Sequence, residues 1–264
     1  MRPMEAYPFQ VGGLSHSSKA SVLLRGKDSV LKPLQEDHRG DQEIEFYHRV
    51  PETALGSYVP RLIGIVKIKD KRYLELEDLL LGFSCPCVLD VKVGRSTWDK
   101  FASAAKIEKE RNKYKWQEEV GFRIVGMIKR DALDTEPVRV GKSFGRSLHP
   151  SQICSVLRDF FKHDTEGYAQ ELILNTLQGL SRTVESESKY SLTACSLLIA
   201  YETQEGRPPK AKAALIDFSH AFMEEKKTKD ENFLFGIQSL ITCISQAFQS
   251  SKLKSESKSE LKSS

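Results

Sequence analysis

The hydrophobic pattern of this chain changes character near residue 80, and that change limits the fold more than any other feature. Before it, short β-rich runs (SVLLRG, SVLKPL, and RLIGIVKIKD followed by KRYLELEDL) are separated by turn residues, which reads as strands and a hairpin. One helix interrupts them: RGDQEIEFYHRV carries Ile44, Tyr47 and His48 at helical spacing, with Asp41 near its start. About five strands and one helix make a small lobe. After the change come a buried strand, CPCVLDVKVG, and a Lys-rich helix predicted over about 101–117. EVGFRIVGMIKR and VRVGKSFGRS read as strand and turn, and SQICSVLRDFFKH and YAQELILNTLQGLSRTVES as amphipathic helices. KYSLTACSLLIAYE and KAALIDFSHAF form a hairpin around EGRPPK, and NFLFGIQSLITCISQAF is a last helix. The expectation is an α+β protein of two lobes. Residues 1–78 form the β-rich lobe, 79–250 a larger α+β lobe, and 251–264 a disordered Ser/Lys tail. The hinge falls in LELEDLLLGF, and two-lobed proteins often bind ligands between their lobes.

Composition agrees with a globular chain. Of 264 residues, 39% are hydrophobic and 29% charged, which excludes a disordered or collagen-like polymer. No apolar run approaches the roughly 20 residues of a membrane helix, and MRPMEAYPFQ has no apolar signal core, so an intracellular protein is expected. A net charge of +4 is too small to argue for nucleic acid, and none is expected as a partner. Five cysteines, an odd number, suggest reduced thiols. Cys85 and Cys87 lack the second pair a zinc site needs and read as the start of a strand.

Three features could carry chemistry. Asp90 and Lys92 are two apart inside the apolar run PCVLDVKVG, so period-2 geometry turns both to one face. Such a pair is either a structural ion pair or a couple facing a polar ligand. It suits phosphoryl transfer, where a carboxylate takes a hydroxyl proton and an ammonium offsets phosphate charge. In ALIDFSHA, Asp217 ends an apolar strand, as a hard-oxygen ligand for magnesium or as a helix N-cap. His220 follows it as either a structural or a site histidine. VLKPLQ places Lys32 on a strand and Glu43 on the helix after it, the residue types with which protein kinases hold nucleotide phosphates; a surface lysine is the plain alternative.

Several familiar motifs are missing. There is no GxxxxGK[ST], no HRDxxxxN and no GxSxG, which argues against P-loop ATPases, ordinary protein kinases and α/β-hydrolases. QVGGLS is Gly-rich enough to approach phosphates through its backbone, but the signal is weak. The Lys-rich helix says more. Lys106, Lys109 and Lys113 are spaced three and four apart, so they share a face that is either solvated or built for a polyanion. Glu110 would repel phosphates if it faced them, so it is expected to point away. Arg146, in GKSFGRSL, could add a guanidinium fork.

Taken together these segments resemble the inositol polyphosphate kinases. PCVLDVKVG matches the PxxxDxKxG signature of that family, CSLLIAYE resembles its SSLL-type strand, and LIDFSHA its IDFAH segment. RGDQEIEFY, YLELEDL, GFRIVGM and FGRSL look like family segments in the family's order, so the resemblance spans about residues 10–250. It implies a two-lobed, protein-kinase-like fold with a short inositol-binding helical insert, ATP and Mg2+ as cofactors, and inositol phosphates as substrates. It implies Lys32 on the nucleotide phosphates with Glu43 as its partner, and Glu77 and Asp78 at the adenine and ribose. Ser196 would lie near the phosphates and Asp217 would hold the metal. Asp90 would deprotonate the inositol hydroxyl and Lys92 stabilise the transferring phosphate. Lys92, Lys106, Lys109, Lys113, Arg146 and His220 would contact inositol phosphates. In the branch of the family that the chain most resembles, this helix often has glutamines in its middle, whereas this chain has Lys109 and Glu110. Only residues 95–120 separate Gly94 from Gly121, so the insert is small, the site open, and several phosphorylation patterns are tolerated. The resemblance further implies a side activity on phosphatidylinositol bisphosphate and a place in nucleus and cytoplasm; a monomer is the default. The alternatives are a hexakisphosphate kinase and a non-catalytic inositol phosphate or phosphoinositide binder.

Overall fold

The β-prone runs of the first lobe pair into one antiparallel sheet. β1 (Leu24–Arg25) and β2 (Ser29–Pro33) are followed by α1 (His38–Arg49), β3 (Leu62–Ile68) and β4 (Lys71–Glu77), in the spatial order β1-β2-β4-β3. Among the described residues that is four strands against the expected five or so; Ala6 adds an isolated bridge to Leu24. This computed structural model describes residues 5–12, 22–130, 136–186, 189–204, 206–224 and 229–260. Asp37 starts α1 by accepting the Arg39 backbone N–H at 3.1 Å. The helix then buries Glu43, Phe46 and Tyr47. Phe46 stacks on Phe218 of the other lobe, with ring centroids 4.0 Å apart.

Beyond the hinge follow β5 (Cys87–Val93), α2 (Ala104–Arg111), α3 (Gln117–Val120), β6 (Phe122–Lys129), β7 (Val138–Val140), α4 (Lys142–Ser147), α5 (Pro150–Phe160), α6 (Tyr168–Ser186), β8 (Tyr190–Ser191), β9 (Ser196–Glu202), β10 (Lys210–Ile216), β11 (Phe222–Met223) and α7 (Glu231–Glu260). Five of these strands form a second antiparallel sheet, β10-β9-β5-β6-β7, with β5 at its centre. A central strand covered on both faces needs apolar side chains on both, and Val88, Leu89, Val91 and Val93 are all fully buried. The predicted hairpin is β9–β10, paired from Ser196–Ile216 to Glu202–Lys210. Leu177 and Leu180 of α6 and Phe233, Ile237, Leu240 and Ile244 of α7 repeat at helical spacing and fill the core beneath the sheet. The hinge turn is fixed by Glu202, whose buried carboxylate accepts the backbone N–H of Ser84 at 3.1 Å and of Cys85 at 2.5 Å. Among the described residues no helix is long and apolar enough to cross a membrane.

Three segments differ from the sequence reading. The Lys-rich helix is shorter than 101–117. Ser103 caps α2 by accepting the Lys106 N–H, and the helix stops at Asn112, after which buried Tyr114 pulls the chain into the core. The GKSFGRS segment is the helix α4 rather than a turn. The backbone of α7 continues to Glu260, where no structure was expected; Lys and Glu, half of residues 251–260, favour helix.

Gly145 lets α4 lie directly on β6. A Cβ at this position would stand 1.8 Å from the Ile124 carbonyl oxygen, so the helix would have to lift off the strand. Gly145→Ala is therefore expected to destabilise the protein by about 2–3 kcal/mol, read as a lower denaturation midpoint with unchanged slope.

Candidate active site

The cleft is organised by one buried carboxylate. Glu43, 1% exposed, accepts the Lys32 ammonium at 2.6 Å and the Phe218 backbone N–H at 3.0 Å through the same oxygen, Oε1. Lys32 also reaches Asp217 Oδ1 at 2.7 Å. Burial works against the charge of Lys32, but Asp217 and Glu43 outweigh it and raise its pKa above the usual lysine value. Asp217 follows the last residue of β10 with φ at +65°, a left-handed turn that is strained for a non-glycine residue. No described helix begins there, so Asp217 is not an N-cap. Its side chain is 43% exposed, and Lys32 holds its carboxyl below the usual range.

Asp90 and Lys92 project from β5 into the same cavity as Lys32 and Asp217. Opposite Asp90 on β6 is Gly126, and the register slips just beyond, between Asp90 and Val91. Such bulges re-aim side chains beside functional sites. Burial, then the nearby Asp217 carboxylate, push the Asp90 carboxyl up to about 7. Its Oδ1 and the Ser196 Oγ make no hydrogen bond of ordinary length among the described residues, although Lys92 and the Ser196 hydroxyl stand near enough to work against the upward shift. Ser196 is paired in register with Lys92. Lys92 Nζ donates to the Ala194 carbonyl at 2.6 Å, so the lysine is fixed by backbone rather than by Asp90. The N-terminal segment closes over this point. A Cβ on Gly12 would lie 2.1 Å from Asp90 Oδ2, and one on Gly126 would lie 2.3 Å from the Val11 carbonyl. The weak Gly-rich signal of QVGGLS thus acquires a physical reason at Gly12; Gly13 to Ser15 lie outside the described residues.

The cavity has a volume of ≈ 880 Å³. Val30, Leu76, Leu80 and Leu198 give it an apolar part between the two sheets, and Glu77 stands at the hinge. Asp78 is beside the cleft, but its Oδ1 already accepts the Tyr7 hydroxyl and the Leu80 N–H. A second cavity of ≈ 1100 Å³ adjoins the first, with Lys100, Phe101 and Lys106 in its wall; His220 and Arg39 line both. His220 Nδ1 meets Asp99 Oδ2 at 3.0 Å, and burial draws its pKa below the usual value against the pull of Asp99.

The basic segment is arranged differently from a shared helix face. Lys106 on α2 and Lys113 beyond its end both meet Glu110, at 3.3 and 2.5 Å. Glu110 turns inward, as expected, yet it takes these lysines with it. Lys109, Lys113 and Arg146 line neither cavity; Lys109 and Arg146 are exposed, whereas Lys113 is tied to the cavity-lining Lys106 through Glu110. Sequence reading passed over Tyr7, Arg39, Asp99, Arg123 and Gly126. Only Gly126 had a local signal, a glycine inside a strand run, which marks close backbone approach.

Known proteins resemble this chain in sequence and fold. The family model for inositol polyphosphate kinase matches residues 73–245. Inositol polyphosphate multikinase of Homo sapiens is 29% identical over 241 residues, which cover 84% of this chain and 56% of that protein. Inositol polyphosphate multikinase beta of Arabidopsis thaliana is 26% identical over 287 residues and 95% of both chains. The crystal structure of inositol phosphate multikinase Ipk2 from S. cerevisiae, in complex with ADP and Mn2+, superposes with a TM-score of 0.71 at 25% identity, covering 83% of this chain and 98% of that one. The chain spans little more than half the length of the mammalian relatives it matches. It belongs to the inositol polyphosphate kinase family.

Proposed function

We propose that the chain is an ATP-dependent kinase that phosphorylates soluble inositol polyphosphates, carrying trisphosphate through tetrakisphosphate to pentakisphosphate. The observation that carries this reading is Asp90: a buried carboxylate with an oxygen that makes no hydrogen bond of ordinary length among the described residues and a pKa of about 7, flanked by Lys92 and Asp217 in the cleft. A general base works best when its pKa lies near the operating pH. The residues present fit a nucleotide and a divalent cation. The apolar part of the cavity suits a purine, and Lys32, braced by Glu43, offers an ammonium to phosphates. Asp217 presents a carboxylate to the cleft, and magnesium is typically held by one or two carboxylates together with substrate phosphates. The cation supplies charge neutralisation of the nucleotide phosphates.

In this reading Asp90 takes the proton of the acceptor hydroxyl as the acceptor oxygen bonds to the γ-phosphorus. The bond between that phosphorus and the β–γ bridging oxygen breaks, and ADP leaves. Lys92, fixed by the Ala194 carbonyl, offsets charge on the transferring group. Lys106, Lys113 and His220 orient the acceptor. The eight residues of α2 make a small acceptor lobe, which supports tolerance of several phosphorylation patterns and hence a multikinase.

Incubation with ATP, Mg2+ and labelled inositol trisphosphate, followed by anion-exchange separation, is expected to yield tetrakis- and pentakisphosphate. Pyrophosphorylated product from hexakisphosphate alone would move the chain to the hexakisphosphate branch, and no product from either would overturn the reading. Asp90→Asn should lower kcat by about 10²–10⁴ with an unchanged circular dichroism spectrum; preserved turnover would remove Asp90 as the base.

The same carboxylate leaves a mark on stability. Its pKa is higher in the folded chain than in the unfolded one, so the native state binds the extra proton between about pH 4 and 7. Stability is therefore lost as pH rises through that window, and the whole cost is present above it. Asp90→Asn should raise the denaturation free energy by about 2–4 kcal/mol at pH 8 and by much less at pH 5.

A further inference from the structure

Glu110 is an acid in the middle of a basic segment, and it is buried rather than solvated, with its side chain 5% exposed. Its Oε1 is shared by Lys113 Nζ at 2.5 Å and Lys106 Nζ at 3.3 Å. Its Oε2 accepts the Thr97 hydroxyl at 3.2 Å and lies 3.8 Å from Arg123 Nη2. Arg123 is itself buried and donates to Gln117 Oε1 at 2.8 Å; Gln117 Nε2 donates to the Gly94 carbonyl at 2.6 Å. Gly94 directly follows β5, so the cluster is tied to the strand that carries Asp90 and Lys92.

Two consequences follow from this wiring. Because both lysines share one carboxylate oxygen, their ammonium groups are neighbours, near enough to grip one phosphate from the outside while Glu110 grips them from the inside. Both side chains keep outer access, Lys106 being 40% and Lys113 27% exposed. Three cations against one anion leave two positive charges, and a phosphomonoester carries about −1.5 to −2 at neutral pH. Burial alone would raise the Glu110 carboxyl, but Lys113 and Lys106 bring it down to about 2, so the negative charge is permanent.

We propose that Glu110 is a specificity-determining residue: it gathers Lys106 and Lys113 into a receptor for one phosphomonoester and cancels the charge that a second, adjacent phosphate would need. Glu110 acts through the lysines and is a positioning residue. The inference rests on the inositol polyphosphate reading above and deepens it.

Calorimetric titration of the full chain with inositol trisphosphate and with inositol hexakisphosphate tests it without turnover. Glu110→Gln keeps the size of the side chain and removes its charge. It is expected to shift the ratio of the two affinities about tenfold toward hexakisphosphate, while Glu110→Asp keeps the parent ratio. ADP binding, titrated in parallel, reports that the variants are folded. A folded Glu110→Gln protein with an unmoved ratio overturns the proposal. If that variant does not fold, the half-exposed Lys106 serves instead: Lys106→Gln should weaken trisphosphate binding about tenfold, and a change within about twofold overturns the proposal equally. Failure of the parent chain to bind any inositol phosphate would remove the acceptor class and this inference together. Binding of both ligands with an unmoved ratio removes this inference alone.

Discussion

A single oxygen holds the two lobes in register. Glu43 Oε1 receives Lys32 from β2 and the Phe218 N–H from the segment after β10, so a strand, a helix and a loop of the opposite lobe converge on one buried atom. Removing one partner of such a pair strands a charge in the interior and typically costs about 3–5 kcal/mol. The packing around it is correspondingly firm: Phe46, one turn on from Glu43, stacks on Phe218. The position of Asp217 follows from this knot, since Lys32 binds it while being bound by Glu43.

The second sheet supplies what the knot alone lacks, a rigid platform. β5 is central, with partners on both sides, and its apolar residues are sealed into the core. Two ionisable side chains on such a strand are costly, and their cost is met unevenly. Lys92 has the Ala194 carbonyl, whereas Asp90 has an oxygen with no hydrogen bond of ordinary length among the described residues and a carboxyl that resists ionisation. Unsatisfied polar groups in a well-packed interior are where a folded chain gives up stability for function.

Much of this was legible in the sequence. Period-2 spacing was enough to turn Asp90 and Lys92 to one cavity, and the apolar run around them announced a central strand. Lys32, Glu43 and Asp217 were legible only as members of motifs, because their meeting depends on residues 11 and 185 positions apart in the chain. The Lys-rich segment misled as a helical wheel. Helical spacing put Lys109 with Lys106 and Lys113, but α2 ends before Lys113, and it is Glu110 that selects which lysines gather. Tyr7 and Asp99 carry no local signal; each is defined by a hydrogen bond to a distant partner, Asp78 and His220.

The contact of Gly12 with Asp90 bears on the order in which the protein is assembled. The segment over residues 5–12 rests on Gly126 and on the Asp90 carboxylate, and both glycines are needed for that approach. Its seat is completed by β6, a strand that leaves the ribosome about a hundred residues after it does. Residues 5–12 must therefore wait, undocked, until β5 and β6 have paired, and the local surroundings of Asp90 are finished by a segment made before the strand that carries it.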